Sequence, residues 1–136
     1  VLEHRLAKLC AAATFVLLVI GGTVNPTGSS LACPEPSLIC HGELFPEMKG
    51  GVLYEHGHRL AAMIVGLLQV ALSIVLYRRR RDLRTPALVM LLMVSIQGGL
   101  GALTVHYKLP WFVSTAHLLL AMSYFATLLW TAHRTR

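Results

Sequence analysis

From Ala61 to Tyr77 the chain reads AAMIVGLLQVALSIVLY, without one charged residue. Extended by its apolar flanks, such a run reaches the roughly 20 residues that a helix needs to cross the hydrocarbon core of a bilayer. Three further segments have the same character, so the sequence predicts four spans, over residues 6–24, 52–77, 86–105 and 111–132. In lipid every backbone N–H and C=O must be satisfied within its own segment, which excludes an open sheet and leaves helices. The expected fold is therefore all-α: an integral membrane four-helix bundle, one domain over residues 1–136, with a long loop over residues 25–51. Composition agrees, since 55% hydrophobic against 13% charged residues is too apolar for an ordinary soluble domain. Pro86 suits a helix start, where its missing N–H costs nothing. The first apolar segment lacks a small-residue cleavage site and reads as a retained anchor rather than a signal peptide.

The net charge of +6 is concentrated between the spans. Arg78, Arg79, Arg80, Arg81 and Arg84 join the second and third spans; Arg5 and Lys8 lie at the start of the first, and Arg134 and Arg136 follow the fourth. All fall on one side of the membrane, and by the excess of Lys and Arg that side is cytoplasmic. Both termini are then expected inside the cell and the long loop outside, in an inner (plasma) membrane. The cations suit an anionic lipid surface. No basic stripe interleaved with aromatics is present, so nucleic acid is not an expected partner. No internal repeat is evident.

The long loop contains CPEPSLIC, with Cys33 and Cys40. In an oxidising compartment a disulfide between them is the default. A redox or metal-binding pair is the alternative, although the spacing is not C-x-x-C and no His/Cys quartet accompanies it. Cys10, within the first span, reads as a small apolar residue.

Seven histidines are many for 136 residues. His4 and His133 flank the spans, His41 is in the loop, and His106 ends the third span; none is assigned a role. His58 and His117 each lie about one and a half turns into a span that begins on the outer face. At 1.5 Å per residue, both imidazoles should sit about 8–10 Å inside their helix starts. Polar side chains within spans usually face the bundle interior. Two imidazoles at equal depth on different helices can bind one haem iron from either side. Either histidine alone could instead hydrogen-bond a neighbouring helix, and zinc would need more ligands than are apparent at this depth. Glu55, three residues before His58, shares its helix face. Arg59 can pair with Glu55 at i, i+4 at the interface, worth a few tenths of a kcal/mol, or meet a haem propionate. His56 points to another face and is not an expected ligand.

These residues resemble the heme A synthase family. GGTVNPTGSSLACPEPSLICHG is similar to its first-span exit and cysteine loop, YEHGHRLAA to its Glu-x-x-His-Arg motif, and QGGLGALTVHYKLPWFVSTAHLLLA to its ligand-bearing third and fourth spans. The resemblance implies that Glu55 is the essential carboxylate, that His58 and His117 are the axial haem ligands of the substrate-binding half, and that Cys33 and Cys40 form a disulfide. It implies an oxidoreductase that converts a ring methyl of haem O to the formyl group of haem A, with water supplying the oxygen, for terminal oxidase biogenesis. Common members have two four-helix halves, one holding the substrate haem and the other a haem b; this chain resembles the catalytic half. It departs from many members at Asn25, where they carry Arg, and at Glu35-Pro36, where they carry Asp-Trp.

Two axial imidazoles fill the iron's coordination sphere, which points to oxidation at the ring edge rather than oxygen activation on the metal. Glu55 could then stabilise developing positive charge at the methyl or take a proton from attacking water. The rival reading is a bis-histidine membrane cytochrome b that only transfers electrons and has no use for Glu55; a thiol-oxidising protein built on Cys33 and Cys40 is a second. A single four-helix unit resembling half of its relatives is also expected to form a homo-oligomer, dimer or trimer, with the small-residue run QGGLGAL (residues 97–103) offering either a helix-contact surface or packing within one bundle. Haem O synthase and oxidase assembly factors are further partners that the family implies.

Overall fold

The structure, a computed structural model, describes residues 1–24, 51–106 and 111–136. Among these, four helices form: α1 (Leu2–Val24), α2 (Gly51–Arg79), α3 (Arg84–His106) and α4 (Trp111–Arg134), with a 3₁₀ turn over Arg81–Leu83. All four are long and apolar enough to cross a membrane. The helices run past the expected spans mostly at the basic end. α1 begins at Leu2 rather than Leu6, and α2 continues beyond Tyr77 through Arg78 and Arg79. Backbone hydrogen bonding need not stop at the hydrocarbon edge, and cations in a last turn complement the helix dipole.

Arg80 ends α2 by turning to extended backbone, φ −127° and ψ 93°. Its guanidinium donates to both carboxylate oxygens of Asp82, at 3.0 and 2.9 Å. Arg84 Nε donates back to the carbonyl of Tyr77 at 2.7 Å while its guanidinium lies 4.7 Å from the Tyr77 ring centre. Part of the arginine run thus builds the α2–α3 corner. The same end gathers the chain termini. His4 Nδ1 meets the carbonyl of Ala132 at 2.9 Å, Glu3 pairs with Arg79 at 3.6 Å, and Asp82 with Arg134 at 3.7 Å. All the cations that the sequence placed on one side and that the helices carry do lie at one end of the bundle.

Each helix packs against two neighbours, in the cyclic order α1, α2, α3, α4. α2 and α4 therefore face each other across one diagonal, α1 and α3 across the other. The buried apolar core occupies the basic-end half of this square: Ala7, Cys10 and Ala11 of α1, Leu72 and Leu76 of α2, Ala87 and Met90 of α3, Leu128 of α4, and Leu83 of the turn. Small residues on α1 let its backbone approach closely, and Cys10 takes part as one of them, a free, fully buried thiol. Val65 marks the limit of the apolar core on α2. In the opposite half the buried side chains described are Glu55 and His56. Large apolar side chains such as Leu67, Leu92, Phe112 and Leu119 are exposed on the outside, which is the arrangement lipid favours.

A polar ladder crosses the core near mid-bundle. Tyr124 Oη donates to Gln69 Oε1 at 2.6 Å, Gln69 Nε2 donates to Ser73 Oγ at 2.9 Å, and Ser73 Oγ donates to the carbonyl of Ala87 at 3.0 Å. It ties α4, α2 and α3 together with groups that find partners inside the bundle, as buried polar atoms in lipid must.

Candidate functional site

His58 and His117 lie toward the end of the bundle opposite the basic one, one on each helix of the α2–α4 diagonal. Both are half-buried, and in both the Nδ1 atom is buried with no hydrogen-bond partner. The interhelical hydrogen bond that would have been the alternative explanation for either histidine is therefore not made through Nδ1. Each ring instead rests against a glycine of the next helix. A Cβ built on Gly21 of α1 would lie 2.8 Å from Cε1 of His58, and one built on Gly101 of α3 would lie 3.3 Å from Cε1 of His117. The same histidine-on-glycine contact thus occurs in the α1–α2 hairpin and again in the α3–α4 hairpin. The α4 ligand candidate has a second brace, since Gln97 Nε2 donates to the backbone carbonyl of His117 at 2.7 Å.

Glu55 lies one turn before His58 and is buried, with only 4% of its surface exposed. Arg59 Nη2 donates to Glu55 Oε1 at 2.8 Å, so the expected i, i+4 pair forms. The side chains of Arg59 and Glu55 are only 13% and 5% exposed, however. It is a bridge shielded inside the bundle rather than one in an aqueous interface, and such pairs are far more costly to break than exposed ones. His56, expected to point away, is fully buried. His106 is the last residue of α3. Cys33, Cys40, Asn25, Glu35, Pro36 and His41 lie outside the described residues, as does most of the 25–51 loop.

Among the described residues no group of three or more His, Cys, Asp or Glu side chains converges to hold a metal ion. An open groove of about 300 Å³ between α2 and α3, lined by Ser73, Tyr77, Arg78 and Leu88 among others, is at the basic end and away from the histidines.

Gly21, Gly101 and Gln97 did not emerge from the sequence as site residues. Gln97 was the most accessible of the three, being a polar residue within a span; the glycines are recognisable only once the helix pairing is known.

The fold and the diagonal histidines define a multi-pass helical bundle with one half-buried imidazole on each of two facing helices. A family described as COX15-CtaA, cytochrome oxidase assembly protein, matches residues 4–136, and the chain belongs to that family. It is 28% identical over 135 residues to the heme A synthase of Bacillus pumilus (strain SAFR-032), a match covering 94% of this chain and 44% of the relative. It is 30% identical over 135 residues to the heme A synthase of Exiguobacterium sibiricum, covering 94% of this chain and 46% of the relative. It is also 33% identical over 127 residues to the protoheme IX farnesyltransferase of Halobacterium salinarum (strain ATCC 29341 / DSM 671 / R1), covering 90% of this chain and 27% of the relative. The chain spans less than half the length of these relatives. No solved structure matches it.

Proposed function

We propose that this bundle binds haem between His58 and His117 and takes part in converting haem O, as substrate, to haem A for assembly of a terminal oxidase. The observation that carries the reading is that His58 and His117, both half-buried, stand on the two facing helices α2 and α4. The residues fit the group: two imidazoles on facing helices and, among the described residues, no competing cluster of ligands and no buried apolar side chain between Val65 and the start of α2. Bound there, haem would supply a redox-active macrocycle whose ring edge can lose electrons. Membership of a cytochrome oxidase assembly family and similarity to proteins named heme A synthase support the same reading.

In this proposal Glu55 is the catalytic carboxylate. Its place on the His58 face directs it to the same interior, where it could accept the proton released as water adds to the methyl carbon, two electrons leaving through the macrocycle to an electron acceptor outside the bundle. Arg59 holds Glu55 in place through the buried ion pair and is the candidate contact for a propionate. The second reading, a cytochrome b that only carries electrons with haem b bound, is favoured by one observation: the Glu55 oxygen is already engaged by Arg59.

We place the basic end in the cytoplasm, both termini inside, and the histidines toward the outer face of the plasma membrane, following the excess of Lys and Arg at that end. We also propose association with further copies of the chain, as dimer or trimer. The run at residues 97–103 divides between both roles read from the sequence: Gly101 faces His117 inside the bundle, whereas a Cβ on Gly98 or Gly99 would meet nothing within 4 Å. Mass photometry in nanodiscs tests the association, and an active monomer at every concentration contradicts it.

The test of function is to express the protein with a haem O supply, extract its haem and separate it by chromatography. Haem A or the hydroxylated intermediate supports the synthase; haem b alone supports the electron carrier; no haem at all contradicts both.

A further inference from the structure

We infer that Gly21 and Gly101 are positioning residues for His58 and His117, each providing the space in which one imidazole plane is set, and that Gly21 sets its ring more tightly than Gly101. The inference rests on the haem reading above and deepens it.

Glycine is a poor helix former, yet both positions are within helices. Among the described glycines, Gly22, Gly57, Gly66, Gly98 and Gly99 have nothing within 4 Å of an added Cβ. Gly21 and Gly101 alone among them face a side chain, and the two side chains are the two diagonal histidines. The coincidence is specific, and it occurs once in each hairpin.

A metal-bound histidine normally owes its orientation to a hydrogen bond from its second ring nitrogen. Here both Nδ1 atoms are buried without such a bond. Packing on the next helix then helps to set ring orientation, and each ring lies close to a glycine of that helix. The distances rank the two sites. An added methyl at Gly21 would be 2.8 Å from Cε1 and 3.3 Å from Nδ1 of His58, closer than carbon atoms tolerate, so the ring must turn or move. At Gly101 the corresponding approach is 3.3 Å to Cε1 and 3.9 Å to Nε2 of His117. A small displacement relieves it.

The plane of an axial imidazole influences the electronic structure of ferric low-spin haem, so the prediction is read spectroscopically rather than through turnover. The wild-type, haem-loaded protein is compared with Gly21→Ala, Gly101→Ala, Gly22→Ala and Gly66→Ala by electron paramagnetic resonance and reductive potential titration, with circular dichroism to verify the helices. Gly21→Ala should shift the largest g-value or lose part of the low-spin signal. Gly101→Ala should shift it less, and Gly22→Ala and Gly66→Ala should reproduce wild type. Should Gly21→Ala fail to accumulate in the membrane, a shift in Gly101→Ala absent from Gly22→Ala and Gly66→Ala supports the inference, and no shift overturns it. His58→Ala and His117→Ala separate the two levels. If they abolish the low-spin signal while Gly21→Ala matches wild type, the glycine inference is wrong and the haem reading stands. If they leave the signal intact, the haem reading fails and the glycine inference with it. A larger shift in Gly101→Ala than in Gly21→Ala overturns the ranking.

Discussion

Tyr124 of α4 donates its phenolic hydrogen to the side-chain oxygen of Gln69 of α2 at 2.6 Å, both residues buried, on the same diagonal that carries His117 and His58 toward the other end. Tyr124 and His117 are separated by two helical turns on one face of α4. The pair lies within the core and links the two helices that carry the histidines.

Tyr124→Phe removes this bond and strands Gln69 Oε1. Interhelical hydrogen bonds in membrane bundles contribute about 0.6 kcal/mol on average and about 1.7 kcal/mol at most. The variant should lose stability within that range in reversible detergent unfolding followed by circular dichroism. A double-mutant cycle with Gln69→Leu that returns no coupling would show that the bond contributes nothing.

Arg59→Ala should be more damaging than an exposed arginine substitution, because it leaves Glu55 buried without its guanidinium. Breaking one side of a buried pair costs roughly 3–5 kcal/mol. Glu55→Gln in the same background should recover part of that loss, since it removes the buried carboxylate charge. Thermal unfolding of the two single variants and the double variant checks this; equal stability of Arg59→Ala and wild type would mean that the pair behaves as a solvated one.

Much of this arrangement was legible in the sequence. Uninterrupted apolar runs such as Ala61 to Tyr77 can only be spanning helices in lipid, and the arginines after Tyr77 locate one end of the bundle. His58 and His117 were legible as polar residues in two different spans. Burial was harder to read. Glu55–Arg59 has the spacing of a surface pair, and only the packing of neighbouring helices makes it an interior one. Gln69 and Ser73 were visible as polar residues in an apolar run, but their partners Tyr124 and Ala87 come from other helices. Gly21 and Gly22 are adjacent and chemically identical; which one faces His58 is decided by helix rotation, which hydropathy does not encode. The absence of a detectable repeat is explained similarly, since the two hairpins share a histidine–glycine contact rather than a sequence.

His58→Ala and His117→Ala should each abolish the bis-imidazole low-spin absorption spectrum, because one remaining ring cannot supply both axial ligands. Glu55→Ala should retain that spectrum while losing oxidation of the methyl. A single histidine variant with an unchanged spectrum would show that its ring is not a ligand.

Fusing a fluorescent protein or alkaline phosphatase after Arg136 tests the orientation. With the basic end cytoplasmic, the fluorescent fusion should be bright and the phosphatase fusion inactive; the reverse pattern would place the termini outside, contrary to the charge distribution.

The decisive measurement is the identity of the haem recovered from wild type and Glu55→Ala, each purified from cells making haem O. Haem A or its hydroxylated precursor should come from wild type, and unmodified haem O from Glu55→Ala at similar occupancy. Recovery of haem b alone from both proteins would contradict synthesis and leave an electron carrier.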